Sequence, residues 1–205
     1  MIQTLSLKGN MSSIIGHAAA GVSVYLACNR LADRRALAAL PVFVFLAICP
    51  DLDYLAIWLF HSHTAPRLTH TLVFSLVAAS VAWLFTASLR KNQRAKLPFI
   101  ALLTASVSHP LLDLLVGAHP LPLLWPLPDP DVFLPFGVLP SAGSLALENY
   151  YLWRNLLIEL AVLSPVFAML VVFARRIPFR TIAPKAFVVA PLWLLFVVWS
   201  VGLQR

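Results

Sequence analysis

Residues 97–117 read LPFIALLTASVSHPLLDLLVG, an apolar run long enough to cross a lipid bilayer. Two ionisable side chains interrupt it, His109 and Asp113, which stand four residues apart. On a helix that spacing puts both side chains on one face, although Pro110 predicts a kink or a new helical turn beside His109. Ionisable groups within a span are costly in lipid and usually face a bundle interior with partners. The run therefore predicts a transmembrane helix that carries part of a buried polar site.

The whole chain shares the apolar character of this run. Of its 205 residues, 60% are hydrophobic and 11% are charged, whereas a soluble domain needs about a quarter charged residues to cover its surface. We therefore predict an all-α polytopic membrane protein, a single integral membrane domain over residues 1–205. Its length suits about six spans of roughly 20 residues each. Hydropathy places them near 13–29, 36–60, 68–89, 97–117, 151–174 and 184–203.

One long connection, residues 118–150, holds seven of the sixteen prolines. Proline at that density prevents a regular helix, and bare backbone is not tolerated in lipid. We therefore expect an irregular, apolar loop that lies at the membrane interface or folds back over the bundle. A secretory signal peptide is a competing interpretation of the first 30 residues, but only Lys8 precedes the first apolar run, whereas Arg30, Arg34 and Arg35 follow it. Met11 is an alternative start to Met1.

The basic residues indicate the topology. Eleven of the fifteen lie in three connections, at 30–35, 90–96 and 175–185, and the positive-inside rule makes these connections cytoplasmic. Both termini and the 118–150 loop then face outside, and we expect the chain in the inner (plasma) membrane with the lipid bilayer as its partner. No basic stretch is interleaved with aromatic residues, so nucleic acid is not expected as a partner.

The residues that could bind a metal ion lie toward the opposite membrane face. Five predicted spans place such side chains at a similar depth, namely His17, Asp51 and Asp53, His70, His109 and Asp113, and Glu159. Imidazole and carboxylate together suit zinc or a similar divalent ion. Each residue alone is also compatible with a structural hydrogen bond. Arg67, just before His70, suits either a phosphate oxygen of a substrate or an anchor at the lipid headgroups.

The same motifs follow one another in a recognisable order. They are Gly16-His17, Pro50-Asp51-Leu52-Asp53, Arg67-Leu68-Thr69-His70-Thr71, Ser108-His109-Pro110-Leu111-Leu112-Asp113 and Leu123-Leu124-Trp125-Pro126. In this order the chain resembles the YdjM-like family of inner-membrane metal-dependent hydrolases over roughly residues 11–126. We take as metal ligands His17, Asp53, His63, His70, His109 and Asp113. His63 enters because the His-Arg-Gly run of the family is replaced here by Ala65-Pro66-Arg67.

A more distant similarity is to zinc-dependent phospholipase C and its nuclease relatives, and it implies cleavage of phosphoesters. We therefore expect a metal-dependent hydrolase with its site at the extracytoplasmic face, which cleaves a phosphoester of a lipid-like substrate by a metal-activated water. Zinc is the expected ion. The expected catalytic residues are Asp51 or Glu159 as proton acceptor and Arg67 as the group that stabilises phosphoryl charge.

Three other functions fit parts of the pattern. A metal- or proton-coupled transporter would use intramembrane His and Asp as relay groups, but transporters place them near the midplane with access from both sides. A membrane phosphatase of the phosphatidic-acid type would carry an arginine before the HxxxD motif, and residues 103–108 contain none. A scaffold protein with a structural metal site is the non-catalytic alternative.

Overall fold

The computed structural model describes residues 13–29, 37–53, 67–89, 97–117, 120–134, 136–140 and 148–203. Within these ranges the chain is all-helical and forms no β-strand. Six α-helices follow one another: α1 (Ile14–Cys28), α2 (Leu40–Ile48), α3 (Leu72–Leu89), α4 (Phe99–Val116), α5 (Tyr150–Ala174) and α6 (Phe179–Gly202). There are also two short 3₁₀ turns: Cys49–Asp51 directly follows α2, and Leu68–His70 lies just before α3. The prediction of an all-α fold is confirmed for the residues that the structure describes.

Three of the helices, α4, α5 and α6, are each long and apolar enough to cross a membrane. The others, α1, α2 and α3, are apolar but shorter over their described residues. The helices agree with the predicted spans to within about two residues at most ends. Several predicted segments lie outside the described residues, namely the end of the second span at 54–60 and the connections 30–35 and 90–96.

The sixth helix differs from the prediction. It begins at Phe179 rather than at 184, so Arg180 and Lys185 lie within its first turns and not in a connection spanning 175–185. The break between α5 and α6 falls at Pro178, whose backbone is extended. A proline disfavours helical geometry in the residue before it, so the helix starts again only after Pro178. Hydropathy placed the start too late because it counts these basic side chains as polar, although their long stems can reach the interface from a helix.

The fourth helix passes through Pro110 without ending, since α4 is a single helix from Phe99 to Val116. His109 and Asp113 therefore lie one turn apart on the same helix face, as the spacing predicts. Gly117 then ends α4 with a positive φ of 62°, a conformation that glycine adopts without steric cost.

The first helix is at the centre of the bundle, where it packs against α2, α4 and α5. One buried apolar cluster joins α1, α2, α3 and α4 around Tyr25, Phe43 and Leu102, and a second joins α1, α4 and α5 around Ala20 and Ile158. Gly21 permits the close contact of α1 with α2, because a Cβ there would lie 2.6 Å from the carbonyl oxygen of Phe43. The bundle thereby brings the first turn of α1 beside the ends of α2 and α4.

In the 118–150 connection, residues 120–134, 136–140 and 148–149 are described, and they contain no helix. An antiparallel bridge between Leu121 and Val132 closes its first half. The Leu72 N–H donates to the Leu123 carbonyl at 3.0 Å. This contact holds the segment against the start of α3, next to the 3₁₀ turn that carries His70.

Candidate metal centre

Four segments of the chain bring five side chains to one point inside the bundle. The start of α1 supplies His17, the 3₁₀ turn after α2 supplies Asp51, the 3₁₀ turn before α3 supplies His70, and α4 supplies His109 and Asp113. The three histidines are 0% exposed, Asp113 is 6% exposed and Asp51 is 9% exposed. These five side chains, which are spread over nearly 100 residues of sequence, form one buried cluster. We call it the His/Asp cluster.

The carboxylate of Asp113 lies between the three imidazoles. Its Oδ1 is 3.4 Å from Nε2 of His17, and its Oδ2 is 3.4 Å from Nε2 of His70 and 3.4 Å from Nε2 of His109. The Nε2 atoms of His70 and His109 are themselves 3.3 Å apart. On the other side of the cluster, Asp51 Oδ1 is 3.5 Å from His109 Nε2 and 3.9 Å from His70 Nε2.

These separations fit the ligand shell of a small divalent ion. Ligand atoms bound tetrahedrally at about 2.05 Å from zinc are about 3.3 Å from one another. Two overlapping groups have their candidate ligand atoms within 4.8 Å of one another, His17 with Asp51 and His109, and His70 with His109 and Asp113. His109 is common to both groups. The donor set, imidazole nitrogen with carboxylate oxygen, is the one that zinc and similar ions prefer.

The buried negative charge of the cluster also favours a bound cation. Both carboxylate oxygens of Asp51 are buried and find no hydrogen-bond donor in the part of the chain that the structure describes. In the same part of the chain, no lysine or arginine forms an ion pair with Asp51. A buried carboxylate that accepts no hydrogen bond is costly, and a bound divalent ion would offset that cost.

Hydrogen bonds behind two of the imidazoles orient them toward the cluster. His109 Nδ1 is 2.8 Å from the carbonyl oxygen of Ala47, and because a carbonyl only accepts, the proton of His109 must be on Nδ1. His70 Nδ1 is 3.1 Å from Thr69 Oγ1 and 3.5 Å from Asp53 Oδ2. Metal-binding histidines usually donate their second ring N–H to a carbonyl or carboxylate in this way. Both rings therefore present Nε2 to the cluster.

The third imidazole is held by stacking. The ring of His17 lies 3.8 Å from that of His109, centroid to centroid, with an angle of 17° between the planes. His17 begins the second turn of α1, and its backbone N–H donates to the Ser13 carbonyl at 3.1 Å. The placement of His17 thus depends on where α1 begins.

The two aspartates after α2 lie on different sides of the His70 ring, Asp51 near its Nε2 and Asp53 near its Nδ1. Sequence analysis assigns Asp53 to the metal and Asp51 to catalysis, but it is Asp51 that joins the His/Asp cluster. Asp53 lies behind His70, where its Oδ2 accepts a hydrogen bond from Thr69 Oγ1 at 3.0 Å. Asp51 ends the 3₁₀ turn and residues 52–53 continue as helix, in which two positions rotate a side chain by about 200°, so the two carboxylates face different directions.

The structure does not bring every predicted site residue into the cluster. His63 lies outside the described residues. Arg67 is half-buried and its carbonyl accepts the His70 N–H at 3.0 Å, which closes the turn that carries His70. Glu159 is buried on α5 and belongs to neither group of candidate ligands. The catalytic roles of Arg67 and Glu159 stay predictions.

Sequence analysis missed the residues that support the cluster from behind. Ser13 was detectable, because a serine before an apolar run is a common helix N-cap, and its side chain does accept from the Gly16 N–H at 2.9 Å. Thr69 could be noticed only as a neighbour of His70. The Ala47 carbonyl has no sequence signal, because every residue carries such a group.

Comparison with known proteins identifies the family of the chain. The family model described as YdjM inner membrane protein matches residues 11–201. No curated protein and no solved structure matches the chain, and the distant similarity to phospholipase C is not shown by these comparisons. The family match covers most of the chain and extends past residue 126 through α5 and nearly all of α6. The chain therefore belongs to the YdjM inner membrane protein family.

Proposed function

We propose that this protein is a metal-dependent hydrolase whose site lies at the extracytoplasmic face of the inner membrane. The observation that carries the proposal is the His/Asp cluster, in which three imidazole Nε2 atoms and two carboxylates from four chain segments meet at separations of 3.3–3.9 Å. Zinc is the ion that this donor set and these separations fit best. Membership of an inner membrane family supports the location in that membrane.

The residues of the cluster have separable roles in such a reaction. A divalent ion with an open coordination position lowers the pKa of a bound water and polarises a phosphoryl oxygen. The three histidines and Asp113 would hold the ion. Asp51 is the proton acceptor in this scheme, because its carboxylate borders the cluster and both its oxygens lack a hydrogen-bond donor among the described residues. Arg67 stabilises the charge that develops on the phosphoryl oxygens.

The proposed topology has six spans, with both termini and the 118–150 loop outside. It is supported by six apolar helices among the described residues, which lie at the positions of the spans predicted from hydropathy. The shorter helices α1, α2 and α3 also pack with α4 in one bundle.

We expect a single cysteine at Leu127 to react with a membrane-impermeant maleimide in intact cells, and one at Arg90 to react only after lysis. Both single-cysteine variants are made in a protein that carries Cys28→Ser and Cys49→Ser. Labelling of the Arg90 position in intact cells would overturn the topology.

The proposed substrate is a lipid-like phosphoester that enters from the outer leaflet. The 120–140 segment supports this, because it is tied beside the His70 turn through Leu123 and exposes large apolar side chains to its surroundings. They are Leu124, Trp125, Leu127, Phe133 and Phe136. Apolar and tryptophan side chains at this position suit the membrane interface. A lipid could then reach the cluster without leaving the bilayer.

Turnover of model phosphoesters tests the hydrolase proposal. In detergent micelles with zinc, we expect the purified protein to hydrolyse bis(p-nitrophenyl) phosphate or a short-chain phospholipid. Asp51→Asn is expected to lower kcat about 10²- to 10⁴-fold at saturating zinc, the usual contribution of a proton acceptor. Asp131→Asn, the same change on an exposed loop residue, should leave kcat unaltered. Full turnover by Asp51→Asn would exclude the assigned role, and a zinc-loaded protein without turnover of any phosphoester would exclude the hydrolase.

A second candidate function is a membrane scaffold with a structural metal site. It is favoured by the complete burial of the three histidines, since structural zinc sites are closed by protein ligands whereas catalytic ones keep an open position. In that case a chelator would lower the unfolding temperature of the protein, and no hydrolysis would accompany the metal-loaded form.

A further inference from the structure

Glu159 on α5 is a buried carboxylate that contacts Ser13, the residue that caps the start of α1. Its side chain is 1% exposed, and its Oε1 and Oε2 lie 3.1 and 3.2 Å from the backbone N–H of Ser13, which donates to them. In the described part of the chain, no lysine or arginine forms an ion pair with it. A negative charge at this place is stabilised by the free N–H groups at the start of a helix.

Ser13 is the residue through which Glu159 reaches the His/Asp cluster. The Ser13 hydroxyl accepts the Gly16 N–H at 2.9 Å, and the Ser13 carbonyl accepts the His17 N–H at 3.1 Å. The first turn of α1 is therefore built on Ser13. His17 follows that turn directly and reaches to 3.4 Å from Asp113.

Gly16 lets the carboxylate of Glu159 lie directly against α1. A Cβ at position 16 would overlap the Glu159 carboxylate oxygen, so any larger residue would displace the carboxylate from Ser13. The contact between Glu159 and α1 is therefore close and directional. Two points at the start of α1, the Ser13 N–H and the bare backbone of Gly16, thus face one carboxylate.

We propose that Glu159 is a positioning residue, which holds the Ser13 amide and thereby sets the depth at which α1 presents His17 to the metal centre. This inference rests on the metal centre of the proposed function. It replaces the role of proton acceptor that the sequence suggests for Glu159, because the carboxylate is engaged by Ser13 and lies outside both candidate ligand groups. Glu159 acts on the ion through His17 and not by contact with it.

The first test measures zinc affinity in micelles by competition with a chromogenic chelator. Glu159→Gln keeps one acceptor oxygen for the Ser13 N–H but loses the charge, and we expect zinc affinity to fall about 10-fold. Glu159→Ala removes both acceptor oxygens, and we expect a fall of about 100-fold, within the range found when groups behind metal ligands are removed. The matched control is Glu148→Gln, the same chemical change at an exposed position, which should leave zinc affinity as in the wild type.

A double-mutant cycle with His17 separates positioning from general destabilisation. If Glu159 acts through His17, Glu159→Ala should weaken zinc binding in the wild type but have no further effect in a His17→Ala background. X-ray absorption of the zinc-loaded Glu159 variant should also show one histidine ligand fewer. Equal losses in both backgrounds, or wild-type affinity in both Glu159 variants, would overturn the positioning role. Absence of zinc binding by the wild-type protein would instead overturn the metal centre, and the proposed function with it.

Discussion

His109→Ala is expected to reduce the zinc content of the purified protein from about one equivalent to near zero. His109 is the one side chain common to both candidate ligand groups among the described residues, and its Nε2 lies within 3.5 Å of His70, Asp51 and Asp113. Its removal leaves the two carboxylates without the central imidazole. Elemental analysis of protein purified in detergent, normalised to protein concentration, measures the effect.

The neighbouring residue provides the control for this experiment. Ser108→Ala changes the adjacent position of the same helix, where the hydroxyl only donates to the Ala105 carbonyl, and should retain full zinc. Asp53→Asn should give an intermediate result, with zinc affinity lowered about 10- to 100-fold, because Asp53 supports His70 from behind. Full zinc in His109→Ala would contradict the assignment of the site.

Gly21→Ala is expected to destabilise the bundle by about 1–3 kcal/mol, the usual cost of overpacking a close-packed interior. A Cβ at position 21 would lie 2.6 Å from the carbonyl oxygen of Phe43 and 3.0 Å from the Cα of Val44. Because these are backbone atoms of α2, no side-chain rotation can relieve the overlap, and α1 and α2 must move apart. Reversible unfolding in mixed micelles, followed by circular dichroism, measures the loss of stability.

Gly202→Ala is the matched control, since a Cβ there meets no atom within 4 Å, and its free energy of unfolding should stay within about 0.5 kcal/mol of the wild type. The separation of α1 from α2 should also weaken zinc binding, because His17 lies on α1 while Ala47 and Asp51 come from the end of α2. Wild-type stability in Gly21→Ala would show that the two helices are not in the contact described.

The class of the protein and most of its helix positions follow from the sequence alone. An apolar run such as 97–117 predicts a helix through its length and hydropathy, and both are local properties of the chain. The His109-x-x-x-Asp113 spacing likewise predicts a shared helix face, which α4 confirms. The order of the motifs indicates the family that the match over residues 11–201 shows.

The tertiary structure alone decided which polar groups meet. Asp51 rather than Asp53 faces the cluster because the chain leaves α2 through a 3₁₀ turn. The partner of His109 Nδ1 is a backbone carbonyl 62 residues away, and that of Glu159 is a backbone amide 146 residues away. Backbone groups are identical at every position, and the packing of α1 against α2, α4 and α5 selects among them. Helices can therefore be predicted from local sequence, whereas the hydrogen bonds that orient the candidate metal ligands are fixed only when the helices pack.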